Sequence, residues 1–395
     1  MVLKRAAWLY FVTVVFLSTI FLPHVATGAE VTGEAAVLMD CRNGQVLYEK
    51  NPHKRMYPAS TTKTLTAIMA LESGKMSDMV TVPAAAFNVE GSAIGLQEGE
   101  RIFLGDLVYA LLLNSGNDAA VAIACHLGGS VDDFAGQMNE KAAGLGALNT
   151  HFCNPHGLPD PNHYTTAYDM ALIARYAMQN PEFKKIVSTK VKTIYRSIPE
   201  AQTYLGNSNK LLWNYDDAIG VKTGYTEAAG QCLVSAAARE GRELIAVVFK
   251  SEGAAIWSDS TMLLDHGFND FCSLSLVDSG KFITDVQVKY GRQRTVPVQA
   301  SRSLSYNFSR NEMAEVKQEI VLNGKITAPV KAGDKIGELV FSCGGKKMGK
   351  VDLVAGQEVK RNMLTRWGPW LSPVLGLFTL MVVVRRYNYA RKRRF

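Results

Sequence analysis

The sequence predicts an α/β (α+β) domain built on a largely antiparallel sheet, followed by a small all-β domain and a C-terminal membrane helix. Three observations carry this. Apolar β-type runs stand at both ends of residues 35–249 and bracket segments of helical period. After Leu276 helical periods fade, and short β-rich runs alternate with turn signals. Finally, residues 367–384 (WGPWLSPVLGLFTLMVVV) carry no charge. The chain has 395 residues and is 47% hydrophobic, long enough for two domains with separate cores plus peripheral segments.

The N-terminal segment has Lys4 and Arg5 ahead of an apolar run from Ala6 to Leu22, then Pro23 and Ala26-Thr-Gly-Ala29. That is the layout of a secretory signal, so residues 1–29 are expected to be a signal peptide. The first domain is expected over 30–275. Ala35–Met39 and Gln45–Tyr48 flank Asn43-Gly44, a hairpin signal. Leu65, Ile68 and Met69 recur at helical spacing after Ser60, and Gly74 is a stop, giving a helix over Ser60–Ser73. A second helical stretch follows Gly105-Asp106, breaks at Asn114-Ser-Gly-Asn117 and resumes to His126. Gln231–Ala238 and Glu243–Phe249 read as strands joined at Glu240-Gly241.

The second domain is expected over 277–362, with turns at Gly291, Asn323-Gly324, Gly333-Asp334 and Gly344-Gly345. No catalytic cluster stands out in it, and a spacer between membrane and enzyme suits it. The uncharged run at 367–384 would reach about 27 Å as a helix, enough to cross a hydrocarbon core. Trp367 and Trp370 sit where interfacial aromatics belong. Residues 385–395 (RRYNYARKRRF) hold six basic residues and no acidic one, so this tail is expected in the cytoplasm and residues 30–366 outside. The formal net charge of +7 minus those six leaves about +1 for the rest of the chain. Nothing in that balance points to nucleic acid.

Cys41, Cys125, Cys153, Cys232, Cys272 and Cys343 are scattered through ordinary core and turn sequence, so mostly buried free thiols are expected. His151, Cys153, His156 and His163 cluster without the spacing of a zinc finger or an HExxH helix. A structural loop is the better reading, and neither metal nor cofactor is expected.

The chemistry enters with YPASTTKTLT, residues 57–66. Residues three apart share a helix face, so Ser60 and Lys63 can touch at the helix start. A serine hydroxyl becomes a nucleophile when a base takes its proton, and a lysine amine serves if burial or another cation keeps it neutral. Ser-x-x-Lys alone is a weak pattern. Ser115-Gly116-Asn117 between two apolar helical segments, and then Lys222-Thr223-Gly224 ahead of Tyr225 at the start of an edge strand, make an ordered triple that is far more specific.

With PASTTK, LLLNSGNDAA, NTHFCNPHGLPDPNHYTT and GVKTGYTEAAG in hand, the sequence resembles the penicillin-binding proteins and serine β-lactamases. It is most similar to the low-molecular-mass D-alanyl-D-alanine carboxypeptidases (serine-type, peptidase S11-like), from about Ala36 to Phe271. That resemblance implies a penicillin-binding protein / serine β-lactamase-like fold for the first domain. It also implies removal of the terminal D-alanine from peptidoglycan stem pentapeptides ending in D-Ala-D-Ala, with β-lactams as acylating inhibitors.

Residue by residue, the resemblance implies that Ser60 attacks the penultimate carbonyl and Lys63 accepts its proton. Ser115 relays a proton to the departing amine, and Asn117 binds the stem backbone. Lys222 and Thr223 hold the terminal carboxylate, and Gly224 lets the substrate lie along the strand. The amides of Ser60 and Tyr225 form an oxyanion hole. A β-lactamase shares the three motifs, but the Glu-x-x-Leu-Asn of class A enzymes does not occur between Ser115 and Lys222. An endopeptidase differs only in its leaving group, and a catalytically silent wall-binding scaffold would not need the retained Ser60, Lys63, Asn117 and Lys222.

Overall fold

The computed structural model describes residues 31–310, 316–362, 375–386 and 388–389. The expected signal peptide lies outside the described residues, as do positions 367–374 of the expected membrane span.

The first domain is organised by a five-stranded antiparallel sheet. Its strands are β1 (Ala35–Asp40), β2 (Val46–Lys50), β3 (Ala218–Thr226), β4 (Gly230–Arg239) and β5 (Arg242–Ser251), in the spatial order β2-β1-β5-β4-β3. The opening hairpin thus closes against the last strand of the domain, and β3 is left at an edge. Ala35, Val37 and Met39 face one layer of core while Ala36 and Leu38 face the other. Burial on both faces explains why these strands read as continuous apolar runs in the sequence. The β4–β5 turn has Glu240 at φ 51° and Gly241 at φ 75°, the paired left-handed geometry that a two-residue hairpin requires.

One face of the sheet is covered by the helix Ala255–Asn269, whose Leu263, Leu264 and Phe268 pack over Leu38, Leu244 and Val248, with Leu211 of the short helix Leu211–Asn214 in the same layer. The other face carries the helices that build the site. These are α1 (Lys63–Glu72), α2 (Leu104–Leu113), α3 (Asn117–Gly128), α4 (Val131–Gly144), α5 (Ala167–Ala177) and α6 (Pro181–Ser188). Helix α1 is buried on almost every side, including Thr64 and Thr66, so it runs through the core rather than over it. The Ser60–Ser73 helix of the sequence reading divides into a 3-10 turn, Ala59–Thr62, and α1 behind it. The Lys222 motif sits inside β3 rather than at its start, because pairing with β4 begins at Ala218.

The second domain is all β, as expected. Strand Phe271–Val277 pairs with Leu304–Ser309. A five-stranded antiparallel sheet holds the rest, in the order Phe282–Gln287, Thr295–Ala300, Lys346–Ala355, Lys335–Cys343, Val316–Leu322. Its core is aliphatic, with Val296, Val298, Leu339, Val351 and Leu353 at its centre. Residues 375–386 are helical, but among the described residues no helix is long and apolar enough to cross a membrane. All six cysteines are free thiols; Cys41 and Cys232 are buried, whereas the other four are half-buried, less sheltered than the sequence suggested.

Candidate active site

The 3-10 turn that carries Ser60 is gripped from two sides. A Cβ on Gly157, which sits at φ +90°, would come within 1.8 Å of the Ala59 carbonyl oxygen. A Cβ on Gly224 would lie 2.9 Å from the Ser60 amide nitrogen. Only glycine fits at either place, and Ala59 itself is held at φ 47°, a region that residues with a Cβ seldom occupy. In a 3-10 turn side chains three apart eclipse one another. Lys63 Nζ accordingly lies 2.7 Å from Ser60 Oγ.

Lys63 Nζ has two further partners, Asn117 Oδ1 at 2.6 Å and the His156 carbonyl at 2.8 Å. Both are carbonyl oxygens that can only accept. The orientation of the Asn117 amide follows from its other end, where Nδ2 donates to the Glu90 carbonyl at 2.5 Å. A neutral amine has two N–H donors and one lone pair. With both donors given to Asn117 and His156, the lone pair is directed at Ser60 Oγ–H.

The charge state agrees with that geometry. Lys63 is fully buried, and its pKa is held well below the usual lysine value, first by burial and then by repulsion from Lys222. Asp118, buried beside it, pulls the other way. That carboxylate is occupied with backbone N–H groups, accepting from Ile94, Leu96 and Ala119. It thereby fastens the 90–96 loop to the start of α3, and the Ser92 carbonyl completes the join by accepting from the Asn117 amide.

Ser115 stands in the break between α2 and α3 at φ 61°, nearly buried, with its hydroxyl unpartnered among the described residues. A side chain on Gly116 would meet Asp118 Oδ1 at 2.9 Å, so glycine between Ser115 and Asn117 follows from the Asp118 staple.

Lys222 is 1% exposed, and its ammonium donates to the Thr223 carbonyl at 3.0 Å, with Thr223 Oγ1 at 3.4 Å. No carboxylate pairs with it among the described residues, and burial pushes its pKa down to about 7. A buried ammonium without a counter-ion, flanked by the Thr223 hydroxyl, is a receptor for an anionic group. Ser208 Oγ, 2.8 Å from Thr223 Oγ1, fixes that hydroxyl. Tyr225 follows on the open edge of β3, with a largely exposed side chain.

The structure therefore brings Ser60, Lys63 and Asn117 into direct contact, couples Lys222 to Lys63 electrostatically, and seats Gly224 against the Ser60 amide. Two of these residues have structural duties besides the expected ones. The Asn117 carboxamide is engaged by Lys63 and Glu90 and so first orients the base. The missing side chain of Gly224 is required by the Ser60 turn beneath it.

Sequence reasoning missed Asp118, Gly157, the Glu90 and His156 carbonyls and Ser208. Asp118 and Gly157 lay within the motif strings themselves, while the carbonyls carry no side-chain signature. The histidine cluster serves structure. His163 Nδ1 accepts from the Cys153 amide at 3.1 Å, which leaves the proton on Nε2 facing Thr62 Oγ1 at 2.9 Å. Burial holds His156 and His163 down to about 3 and about 4, so both are neutral at pH 7.

A cavity of about 820 Å³ lies elsewhere, between the two domains. Its arginines and carboxylates balance, and neither a lysine nor a histidine lines it to serve its serines as a base, so Ser60 is the better candidate centre for covalent chemistry.

An antiparallel sheet flanked by helices, with a serine, a neutral lysine and an unpaired buried cation along the edge strand, defines a serine acyl-enzyme hydrolase of the penicillin-recognising kind. Residues 23–253 match the family described as D-alanyl-D-alanine carboxypeptidase, Peptidase_S11, and residues 271–361 match the penicillin-binding protein 5 C-terminal domain. The chain belongs to this S11 family of low-molecular-mass penicillin-binding proteins.

It is 34% identical to the D-alanyl-D-alanine carboxypeptidase DacF of Bacillus subtilis, over 83% of this chain and 86% of that one. It is likewise 34% identical to DacA of Haemophilus influenzae, over 89% and 92%. Among solved structures, penicillin-binding protein 5 from Haemophilus influenzae superposes with a TM-score of 0.76 at 34% identity, covering 84% of this chain and 98% of that one. A point mutant of the Streptomyces K15 DD-transpeptidase matches with a TM-score of 0.59 at 34% identity, covering 60% of this chain and 98% of that one.

Proposed function

We propose that this protein removes the terminal D-alanine from peptidoglycan stem pentapeptides through an acyl-enzyme on Ser60. Ser60 Oγ attacks the carbonyl of the penultimate D-alanine as its proton passes to the lone pair of Lys63 Nζ. The developing oxyanion is met by the amides of Ser60 and Tyr225. The C–N bond breaks, the departing amine takes a proton by way of Ser115, and D-alanine leaves. Water then attacks the ester, again giving its proton to Lys63, and Ser60 is regenerated. Lys222 and Thr223 hold the terminal carboxylate, which makes the reaction that of a carboxypeptidase. A β-lactam carries a carboxylate beside its reactive amide and enters by the same route.

The observation that carries this reading is the three-way environment of Lys63 Nζ, in which two carbonyl acceptors leave the lone pair facing Ser60 Oγ at 2.7 Å. The family and the carboxypeptidase relatives support the substrate class. For location, we read residues 1–29 as an export signal and 367–384 as an anchor that keeps the enzyme at the outer face of the membrane. The exposed Leu377, Phe378, Leu380 and Met381 on the 375–386 helix suit insertion into lipid.

The test is D-alanine release from a pentapeptide by a soluble form spanning residues 30–366, beside Ser60→Ala. The wild type is expected to release D-alanine and to bind labelled penicillin, and the variant to lose at least about 10³-fold in rate and all labelling. Equal release by both would refute the assignment.

A further inference from the structure

Beyond the acylation centre, β3 ends at Thr226 and the chain turns through Glu227, Ala228 and Ala229. This turn forms one wall of a second cavity, of about 450 Å³. A second wall is Lys54 to Tyr57, the stretch that runs into Ser60, and a third is the end of the loop that supplies Gly157 and the His156 carbonyl, where Tyr164 stands. The cavity thus draws three of its walls from the same segments as the catalytic centre, and Glu34 and Lys250 complete it.

The centre gives an extended ligand a direction. In the proposed mechanism its terminal carboxylate is held by Lys222 and Thr223 and its scissile carbonyl sits level with Gly224 and Tyr225, above the Ser60 amide. The residues N-terminal to the scissile bond must then run on past Thr226. At about 3.3 Å per residue, two or three of them reach the Ala228 turn.

The charges around the cavity are unequal. Lys54, Arg55 and Lys250 line it, with Glu34 as the single carboxylate among the lining residues. Lys54 and Lys250 both bond to Glu34, whose carboxyl those two lysines hold down at about 2. Arg55 has no carboxylate partner among the described residues. Its guanidinium lies 4.3 Å from the centroid of the Tyr164 ring, which orients the planar fork while leaving its N–H edge free. A pre-oriented guanidinium without a counter-ion selects a carboxylate.

Resting on the carboxypeptidase reading, we propose that this cavity is a subsite for a carboxylate borne on the substrate peptide two or three residues N-terminal to the scissile bond, with Arg55 as its anchor. The subsite makes the enzyme prefer an acidic stem over a neutral one.

The experiment uses the full chain in detergent and follows D-alanine release from two peptides ending in Lys-D-Ala-D-Ala. One is extended N-terminally by a residue bearing a free carboxylate, the other by the corresponding amide. The wild type should show a kcat/KM ratio, acid over amide, of about ten or more. Arg55→Ala should bring that ratio to about one, through KM rather than kcat, and Arg55→Lys should restore part of it. A wild-type ratio near one, or a ratio that survives in Arg55→Ala, overturns the subsite. Release from neither peptide, with Ser60 still labelled by penicillin, overturns the carboxypeptidase reading and the subsite with it, and so is told apart from failure of the subsite alone.

Discussion

At the residue scale, function rests on two buried lysines in different states. Lys63 is held toward the neutral amine, first by burial and then by repulsion from Lys222. Lys222 is pushed down to about 7 by burial, so it is a cation below neutrality and loses its proton above it. In the proposed mechanism, peptide binding uses the ammonium of Lys222 and acylation uses the free amine of Lys63. The expected outcome is that kcat/KM for a peptide ending in a carboxylate declines as the pH rises through about 7, while acylation by an ester without that carboxylate does not follow the same decline. Lys222→Ala should weaken peptide kcat/KM by about 10- to 100-fold, the loss of a hydrogen-bonded charge pair. It should also move the acidic limb of acylation to higher pH, because removing a cation raises the pKa of Lys63. Steady-state pH profiles of both substrates check the signs.

At the scale of elements, the site depends on how closely three segments approach the Ala59–Thr62 turn. Ala59 is held in the left-handed region between Gly157 and Gly224, and neither neighbour has room for a methyl group. Gly157→Ala should cost about 2–4 kcal/mol, since it combines a strained φ with a backbone collision. It should also slow penicillin acylation well beyond the loss of folded protein, because the Ser60 turn must move to relieve the contact. A urea midpoint and an acylation rate measured on the same sample separate the two effects. An acylation rate equal to wild type at full folding would show that the clamp has no part in positioning Ser60.

For the whole molecule, the β domain meets the catalytic domain at the edge far from β3. Asn307 is buried there. Its Nδ2 donates to Asp40 Oδ2 at 3.1 Å, its backbone N–H donates to Gln45 Oε1 at 2.8 Å, and Arg242 donates to its Oδ1 at 3.2 Å. Asn307→Ala leaves a buried carboxylate oxygen and a guanidinium short of a partner, a cost of about 1–3 kcal/mol. The expected result is faster proteolysis near residues 270–275 with an unaltered rate of penicillin acylation, because the β2 edge of the sheet is the one disturbed. A fall in acylation rate matching the gain in proteolysis would mean that the domains are coupled through to Ser60.

The sequence by itself determined the opening hairpin, the helix behind Ser60, the break at Asn114–Asn117 and the β4–β5 hairpin, and it named the candidate reacting groups. Local rules sufficed there, since apolar runs mark strands buried on both faces, Asn-Gly and Glu-Gly mark turns, and serine and lysine three apart share a face. What the tertiary structure alone decided is how those groups are set for reaction. The direction of the Lys63 lone pair depends on carbonyl oxygens from Asn117 and His156, 54 and 93 residues away along the chain. The turn under Ser60 is shaped by glycines at 157 and 224, and the charge of Lys63 is set first by burial and then by Lys222, against the pull of Asp118. Backbone carbonyls have no signature in a sequence, and desolvation and repulsion act through distances that exist only once the chain has folded.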